Sequence, residues 1–463
     1  MSAATTTAAA GGHAAEKHPP GLYVLFATEM WERFAFYSML AMFTLYLQDT
    51  NEGFSWTDAR ATTLYSNYLM FVYFSPLVGG WIADRKLGFR NSVLIGGVFL
   101  GLGNALIALG TVPMMYAGIT SMIIGNGFFK PNVSAMVGAL YPEGSHLKDR
   151  AYNIFYMGIN VGAFVAPLVA EAVRQRFGFR EAYFVAAAGM VVSIAILWFF
   201  RRHIEQADHR KVMTPASSVA ATSVDAPPKS VSRQQDALEA VPESRRIMAL
   251  IVIVFWMVFH QNGSTLTYWA NDNTDWASST VLPVIIRILT LGFVSGEDVS
   301  GVISNAINPF WIITLTFPLV WFWKWLDRRG MEPSTPTKMA IGMFLTALSF
   351  YILYFAAVAG GDTGRVSPWW LIGAYFVISL GELMLSPMGL SLVSKVAPVR
   401  FRGVLMGGWF AATAIGNKLT QIGVYWNVWK HSTFFAVLGS MALVMAVVLV
   451  ILLKPLKKSM PGV

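Results

Sequence analysis

The chain is a succession of apolar runs of about 20 residues, each long enough to cross a ~30 Å hydrocarbon core, separated by short polar breaks. The runs fall near 21–47, 60–83, 91–110, 113–140, 150–172, 180–200, 246–270, 300–323, 337–359, 367–394, 403–427 and 432–453. Twelve membrane-spanning helices are therefore expected. One further apolar piece, "VLPVIIRILTLGFV" at 281–294, is too short to span and is expected to lie along the surface between the seventh and eighth spans. The longest polar break, 202–245, is rich in Ser, Ala, Pro and charge and reads as a poorly ordered linker.

Composition agrees with a lipid environment. The 463 residues are 55% hydrophobic and 13% charged, with mean hydropathy +0.53, whereas soluble domains carry roughly 25% charged residues. A net charge of +9 invites comparison with nucleic-acid binders. The basic residues, however, lie between the apolar runs and not on one soluble face, so no nucleic-acid partner is expected. The absence of cysteine removes disulfides, thiolate catalysis and Cys-ligated metals. The seven histidines include no i, i+4 helical pair for zinc. Nor does any nucleophile–base arrangement stand out, so neither an enzyme nor a bound cofactor is expected. The opening "MSAATTTAAAGGHAAEKHPPG" lacks the basic and short apolar regions of a signal peptide and reads as a flexible tail. With that tail inside, roughly 24 of the 34 Lys and Arg fall on the inner side and roughly 7 on the outer, chiefly Arg174, Arg176 and Arg180. Both termini are expected in the cytoplasm.

The spans also repeat. "GNGFFKPNVSAMVGALYP" in the fourth and "GELMLSPMGLSLVSKVAP" in the tenth align on Gly125/Gly381, Pro131/Pro387 and Pro142/Pro398, and Asp84–Arg85 is echoed by Asp327–Arg328. Parallel six-helix repeats are the layout of major facilitator transporters. The expected fold class is an all-α integral membrane protein of two pseudo-symmetric six-helix bundles. Its parts are a tail at 1–20, bundles at 21–201 and 246–454 joined by the linker at 202–245, and a tail at 455–463.

Charges inside the spans point to chemistry, because a charge at the bilayer centre costs at least ~2.5–3.5 kcal/mol. On the first span Glu29, Arg33 and Tyr37 share a face, with Glu32 and Phe36 beside them. Two acids beside one base call for a second cation or a protonated carboxyl. Lys130, mid-span before the helix-distorting Pro131, is the candidate cation. Glu382 lies at nearly the same depth in the equivalent tenth span. Bases in one half facing an acid in the other suit a ligand with separated negative and positive ends, such as a short peptide. A Lys130–Glu382 bridge between the halves is compatible with this, closing one face of the cavity until ligand or protons compete for it. Tyr65, Tyr68, Asn160, His260, Asn308 and Trp409 lie at similar depth, and Lys418 is a third base within a span. "GLGNAL", "GNGFFK" and the GxxxG at Gly97 and Gly101 read as close helix packing and not as phosphate loops, since no strand precedes them.

Four blocks carry a family resemblance: "EMWERFAFY" on the first span, "GNGFFKPNVSAMVGALY" on the fourth, "FYMGINVGAF" on the fifth and "GELMLSPMGLSLVSKVAP" on the tenth. "FWMVFHQNGS", "NPFW" and "GGWFAATAIGNKL" match less closely. Together the chain resembles the proton-dependent oligopeptide transporters of the major facilitator superfamily. The resemblance implies a symporter importing di- and tripeptides into the cell across the plasma (inner) membrane. Its functional unit would be a monomer in lipid, with protons as the coupling ion. By the same resemblance, Glu29 and Glu32 exchange protons and pair with Lys130, and Arg33 and Lys130 attract the peptide carboxylate. Tyr37 and Tyr68 line the pocket, Glu382 with Asn160 and Asn308 receives the amino end, and Trp256, Ser386 and Trp409 shape side-chain pockets. This chain departs from the pattern at Phe36, Leu40 and His260, where the family has a tyrosine, often an arginine, and usually an acid. The proton route is accordingly expected to rest on Glu29, Glu32, Arg33, Lys130 and Glu382, with His260 assisting or silent. The same departures leave open a family relative that moves another small anion or a peptide-like drug.

Overall fold

The computed structural model describes residues 18–142, 147–208, 242–296, 299–396 and 402–459; side chains at 149, 242–249, 386–396, 402–407 and 454–459 are outside the description. The first half contains α1 (Pro20–Gln48), α2 (Asp58–Ile82), α3 (Phe89–Ala108), α4 (Val112–Ala139), α5 (Leu147–Phe177) and α6 (Phe179–Phe199). The second contains α7 (Pro242–Phe259), α8 (Thr265–Asp272), the short α9 (Leu282–Leu289), α10 (Ile307–Asp327), α11 (Thr335–Ala359), α12 (Pro368–Val396), α13 (Arg402–Leu419) and α14 (His431–Ser459). Each expected span is present to within a few residues. The greater part of the expected linker and tails, residues 1–17, 209–241 and 460–463, lies outside the described residues.

Some spans are not single α-helices. The seventh breaks at a 3-10 turn, His260–Gly263, before resuming as α8, the eighth opens with a 3-10 segment, Gly301–Ala306, before α10, and the eleventh ends in a 3-10 segment, Thr420–Tyr425. The short piece between the seventh and eighth spans is α9. It exposes Val284, Ile285, Ile288 and Leu289, as expected of an amphipathic surface helix. Among the described residues, nine helical stretches are long and apolar enough to cross a membrane; α1, α2 and α13 are not among them. In α1 the reason is visible in the sequence, since Glu29, Glu32 and Arg33 interrupt it.

Helices pack closely where glycines remove side chains. A methyl group on Gly96 of α3 would sit 2.6 Å from the Gly125 carbonyl oxygen of α4, and one on Gly125 would sit 2.7 Å from the Gly96 oxygen. In the second half, Gly342 of α11 and Gly381 of α12 approach each other's carbonyl oxygens in the same reciprocal way, both at 2.7 Å. The Gly125/Gly381 match read from the sequence is thus a match in packing. Gly97 and Gly101 lie against Ile194 and Met190 of α6, so the GxxxG also serves helix contact. The outlying arginines are partly accounted for as well: Arg174 holds buried Glu171 through two bonds of 2.7 and 2.8 Å.

Candidate functional site

The α1 charges meet at mid-span. Arg33 donates from Nε to Glu32 Oε2 at 2.5 Å and from Nη2 to Glu32 Oε1 at 2.6 Å, and its Nε lies 3.3 Å from Glu29 Oε1. All three side chains are at most 3% exposed. The planar guanidinium, with its rigid fork of donors, serves both carboxylates at once. Its Cζ also stands 4.8 Å from the Phe36 ring centroid and 6.0 Å from that of Tyr37. The ring that replaces a tyrosine therefore still offers its face to the cation.

Lys130 is not paired with these glutamates in this structure. Its Nζ lies 4.5 Å from the ring centroid of Tyr73 on α2, in electrostatic reach of Arg33, Glu29 and Glu32. The expected Lys130–carboxylate pair is replaced because Arg33, four residues from Glu29 and next to Glu32, reaches both first. Among the described residues Lys130 has no bridge to Glu382 either. Glu382 Oε2 instead accepts from Asn308 Nδ2 at 3.0 Å, while Asn308 Nδ2 also donates to Ser379 Oγ at 2.9 Å. Tyr37 and Tyr156 lie within the field of Glu382, so this acid faces the first half. Asn160 lies one turn beyond Tyr156 and donates to its backbone oxygen at 2.9 Å.

Tyr68 lies in electrostatic reach of Arg33 and Glu32. It is 1% exposed, between Phe36 and Phe43 in the core of the first half, and its hydroxyl has no partner. Tyr73, five residues on, is the α2 tyrosine beside Lys130. Five residues turn a helix by about 140°, so the two point to different faces. Trp256 and Trp409 share one small cluster with Val252 and Ala412. His260 stacks on Trp256 at 5.0 Å and meets Tyr73 at 5.6 Å. The Ser386 side chain lies outside the described residues. Tyr73, Tyr156 and Ser379 were missed in the sequence, although Ser379 and Tyr156 stand one turn from Glu382 and Asn160 and spacing alone could have flagged them.

A second group joins the halves. Thr44 Oγ1 donates to the Gly263 oxygen (3.2 Å), Tyr65 to the His260 oxygen (3.2 Å), and the Thr62 and Tyr268 hydroxyls lie 3.1 Å apart. Lys418 Nζ donates to Asn67 Oδ1 and to Gln421 Oε1, both at 2.5 Å, Gln421 donates to Thr63 Oγ1, and Asn427 donates to Asp58. Ser300 Oγ donates to Glu171 Oε2 at 2.8 Å. All of these lie toward the end of the bundle away from Pro20 and Ser459. The turn at His260–Gly263 is what presents its carbonyls to Thr44 and Tyr65. Lys418, unexplained in the sequence, belongs to this group.

A helical bundle in two matched halves, with buried charges at mid-span contributed by both, defines a membrane transporter of the major facilitator fold. The comparisons agree. The POT family model (PTR2) matches residues 90–234 and 231–441. The chain is 30% identical to the uncharacterized transporter YclF of Bacillus subtilis (strain 168), covering 96% of both chains. It is also 30% identical to a di-/tripeptide transporter of Lactococcus lactis subsp. lactis (strain IL1403), over 96% of this chain and 97% of that one. A crystal structure of peptide transporter POT in complex with sulfate superposes with a TM-score of 0.81 at 27% identity over 96% of each chain. A mutant of that transporter in complex with alafosfalin gives 0.81 at 28% over the same shares. The chain belongs to the POT family.

Proposed function

We infer that this protein is a proton-coupled symporter that imports di- and tripeptides by alternating access. The observation that carries the reading is the polarity of the site. Arg33 and Lys130 come from the first half, Glu382 with Asn308 comes from the second, and no bridge between Lys130 and Glu382 cancels them. A zwitterionic peptide has the matching ends: its carboxylate meets the bases, and its amino group meets Glu382, with Asn160 nearby on α5. The relatives' names support the substrate class, and a related peptide transporter has been crystallised with sulfate and, as a mutant, with alafosfalin.

Protons enter the reading through Glu29 and Glu32. When a carboxyl of α1 takes a proton, its hold on Arg33 weakens and the guanidinium is freed for the peptide carboxylate; release of the proton restores the pair. Trp256 and Trp409 bound the side-chain space, with Ser386 assigned there by resemblance. The halves 21–201 and 246–454 rock as units about the site, joined by the linker at 202–245. The chain works as a monomer in the inner membrane with both termini cytoplasmic and needs no cofactor beyond the proton. The test is uptake of a labelled dipeptide into proteoliposomes. Uptake is expected to rise with an inward proton gradient and to vanish in Glu382→Ala; uptake indifferent to the gradient overturns the reading.

A further inference from the structure

A cavity of about 780 Å³ opens on the flank of the second half, apart from the charges at mid-span. Val437, Met441 and Met445 stand four residues apart on α14 and line it as an apolar stripe, together with Val254 of α7 and Tyr354 of α11. Its mouth holds Asp362, from the turn between α11 and α12, and Lys430 and Ser432 at the start of α14. The two halves differ here. In the first, the last helix closes on the first: a methyl on Gly189 of α6 would stand 2.8 Å from the Phe34 ring of α1, and Ser193 Oγ donates to the Thr28 oxygen at 2.7 Å. In the second, Gly439 of α14 faces α11, where a methyl would stand 3.4 Å from Ala347, Phe350 and Tyr351, and Ser440 shares a hydrogen bond with Tyr351. The helix α7 meanwhile presses on α13, since a methyl on Gly416 would stand 2.5 Å from the Ile253 oxygen. With α14 drawn to α11 and α7 to α13, space stays open beside Val254.

Length and charge say what fits this space. From Ser432 to Met445 the helix rises ~20 Å, somewhat more than half of a ~30 Å hydrocarbon core. The mouth lies at the end of the bundle away from Pro20 and Ser459, so the cavity runs from headgroup level into the acyl region of that leaflet. The charges at the mouth are opposite. Asp362 Oδ1 accepts from the Ser432 amide at 2.7 Å, and a carboxylate, with about four lone-pair sites, has room for a further donor. Lys430 is exposed and acts on Asp362 electrostatically, and among the described residues the two form no direct ion pair. A headgroup carrying both a phosphate and a primary ammonium complements the pair. A quaternary ammonium has no N–H to donate, and an anionic headgroup without an amine sets a like charge beside Asp362. We propose that this cavity binds an ethanolamine phospholipid of the leaflet opposite the chain termini, with its phosphate at Lys430, its ammonium at Asp362 and an acyl chain along Val437, Met441 and Met445. The site is separate from the peptide cavity and does not depend on the cargo.

Native mass spectrometry of the full-length protein in detergent tests it, by titration with phosphatidylethanolamine, phosphatidylcholine and phosphatidylglycerol of identical acyl chains. The wild type should hold phosphatidylethanolamine about tenfold more tightly than either of the others, the worth of roughly one charge-assisted hydrogen bond. Asp362→Asn should remove that preference. Lys430→Gln should weaken all three lipids alike, because the phosphate is common to them, and leave phosphatidylethanolamine ahead. Lys430 is exposed, so that arm does not depend on the folding of Asp362→Asn. Val437→Trp, which fills the apolar stripe, should abolish tight retention of all three with the Tm unchanged. Equal retention of the three lipids by the wild type overturns the site, as does a preference for phosphatidylglycerol. A preference for phosphatidylethanolamine that survives Asp362→Asn or Val437→Trp overturns it as well.

Discussion

Gly96 meets Gly125 between α3 and α4 as Gly342 meets Gly381 between α11 and α12, so the two halves share the way their helices touch. They do not share their charges. The first half buries Glu29, Glu32 and Arg33 on one helix and sets Lys130 nearby, whereas the second offers Glu382 held by the amide of Asn308. Duplicated packing supplies a frame in which each half tolerates its own set of polar residues. A ligand with unlike ends can be held only where the frames match and the charges differ.

The largest expected effect breaks the charged half. Arg33→Met leaves two buried carboxylates without their cation, a loss of about 3–5 kcal/mol for such a pair. Uptake should fall to that of empty vesicles, with a clearly lowered Tm in detergent; a near-normal Tm would mean that Lys130 takes over both acids. Next comes the shared frame. Gly96→Leu and Gly342→Leu should each destabilise by about 1–3 kcal/mol through overpacking, measured by thermal melts. If one proves neutral, the halves do not share this contact. A smaller effect is expected from Lys418→Met, which removes the bonds to Asn67 and Gln421. In a chain otherwise free of cysteine, labelling of Thr63→Cys by an impermeant maleimide should then accelerate several-fold, up to about tenfold for a lost bond of this kind; an unchanged rate would remove Lys418 from the closure.

The smallest effect lies outside the spans. Between α11 and α12, Asp362 accepts from the Ser432 amide at 2.7 Å, near the start of α14. Burial raises its carboxyl, but the Ser432 bonds and the nearby Lys430 and His431 outweigh this and hold it below the ordinary carboxylate value. A lowered folded value adds stability above the unfolded pKa of about 3.9, and the gain is lost as pH falls through the folded value. Hydrogen exchange at the start of α14 should accelerate below pH ~4 in the wild type but not in Asp362→Asn.

The twelve spans were legible because lipid demands long apolar runs, and the duplication because Gly125/Gly381 and the prolines keep their spacing. The charged residues were legible one helix at a time, since a buried charge stands out against leucine and phenylalanine. Their partners were not. Arg33 and Lys130 both suit the glutamates on paper, and reach and geometry decide between them only once α4 is placed. Tyr73 escaped on the same ground: a sequence shows that α2 carries it, not that its ring meets Lys130. The break at His260–Gly263 also escaped, because the residues of "HQNGS" allow a turn without requiring one.

The contacts that fasten the halves at one end have a consequence of their own. Among the described residues each joins a hydroxyl, amide or carbonyl to its partner, and even Lys418, Asp58 and Glu171 meet neutral groups across the divide. Among the described residues no ion pair spans the halves there. Dissolved electrolyte weakens attraction between exposed opposite charges over a Debye length of about 8 Å at physiological strength, but it has far less to act on in bonds of this kind. The balance between the fastened and released forms should thus stay almost constant from fresh water to brine.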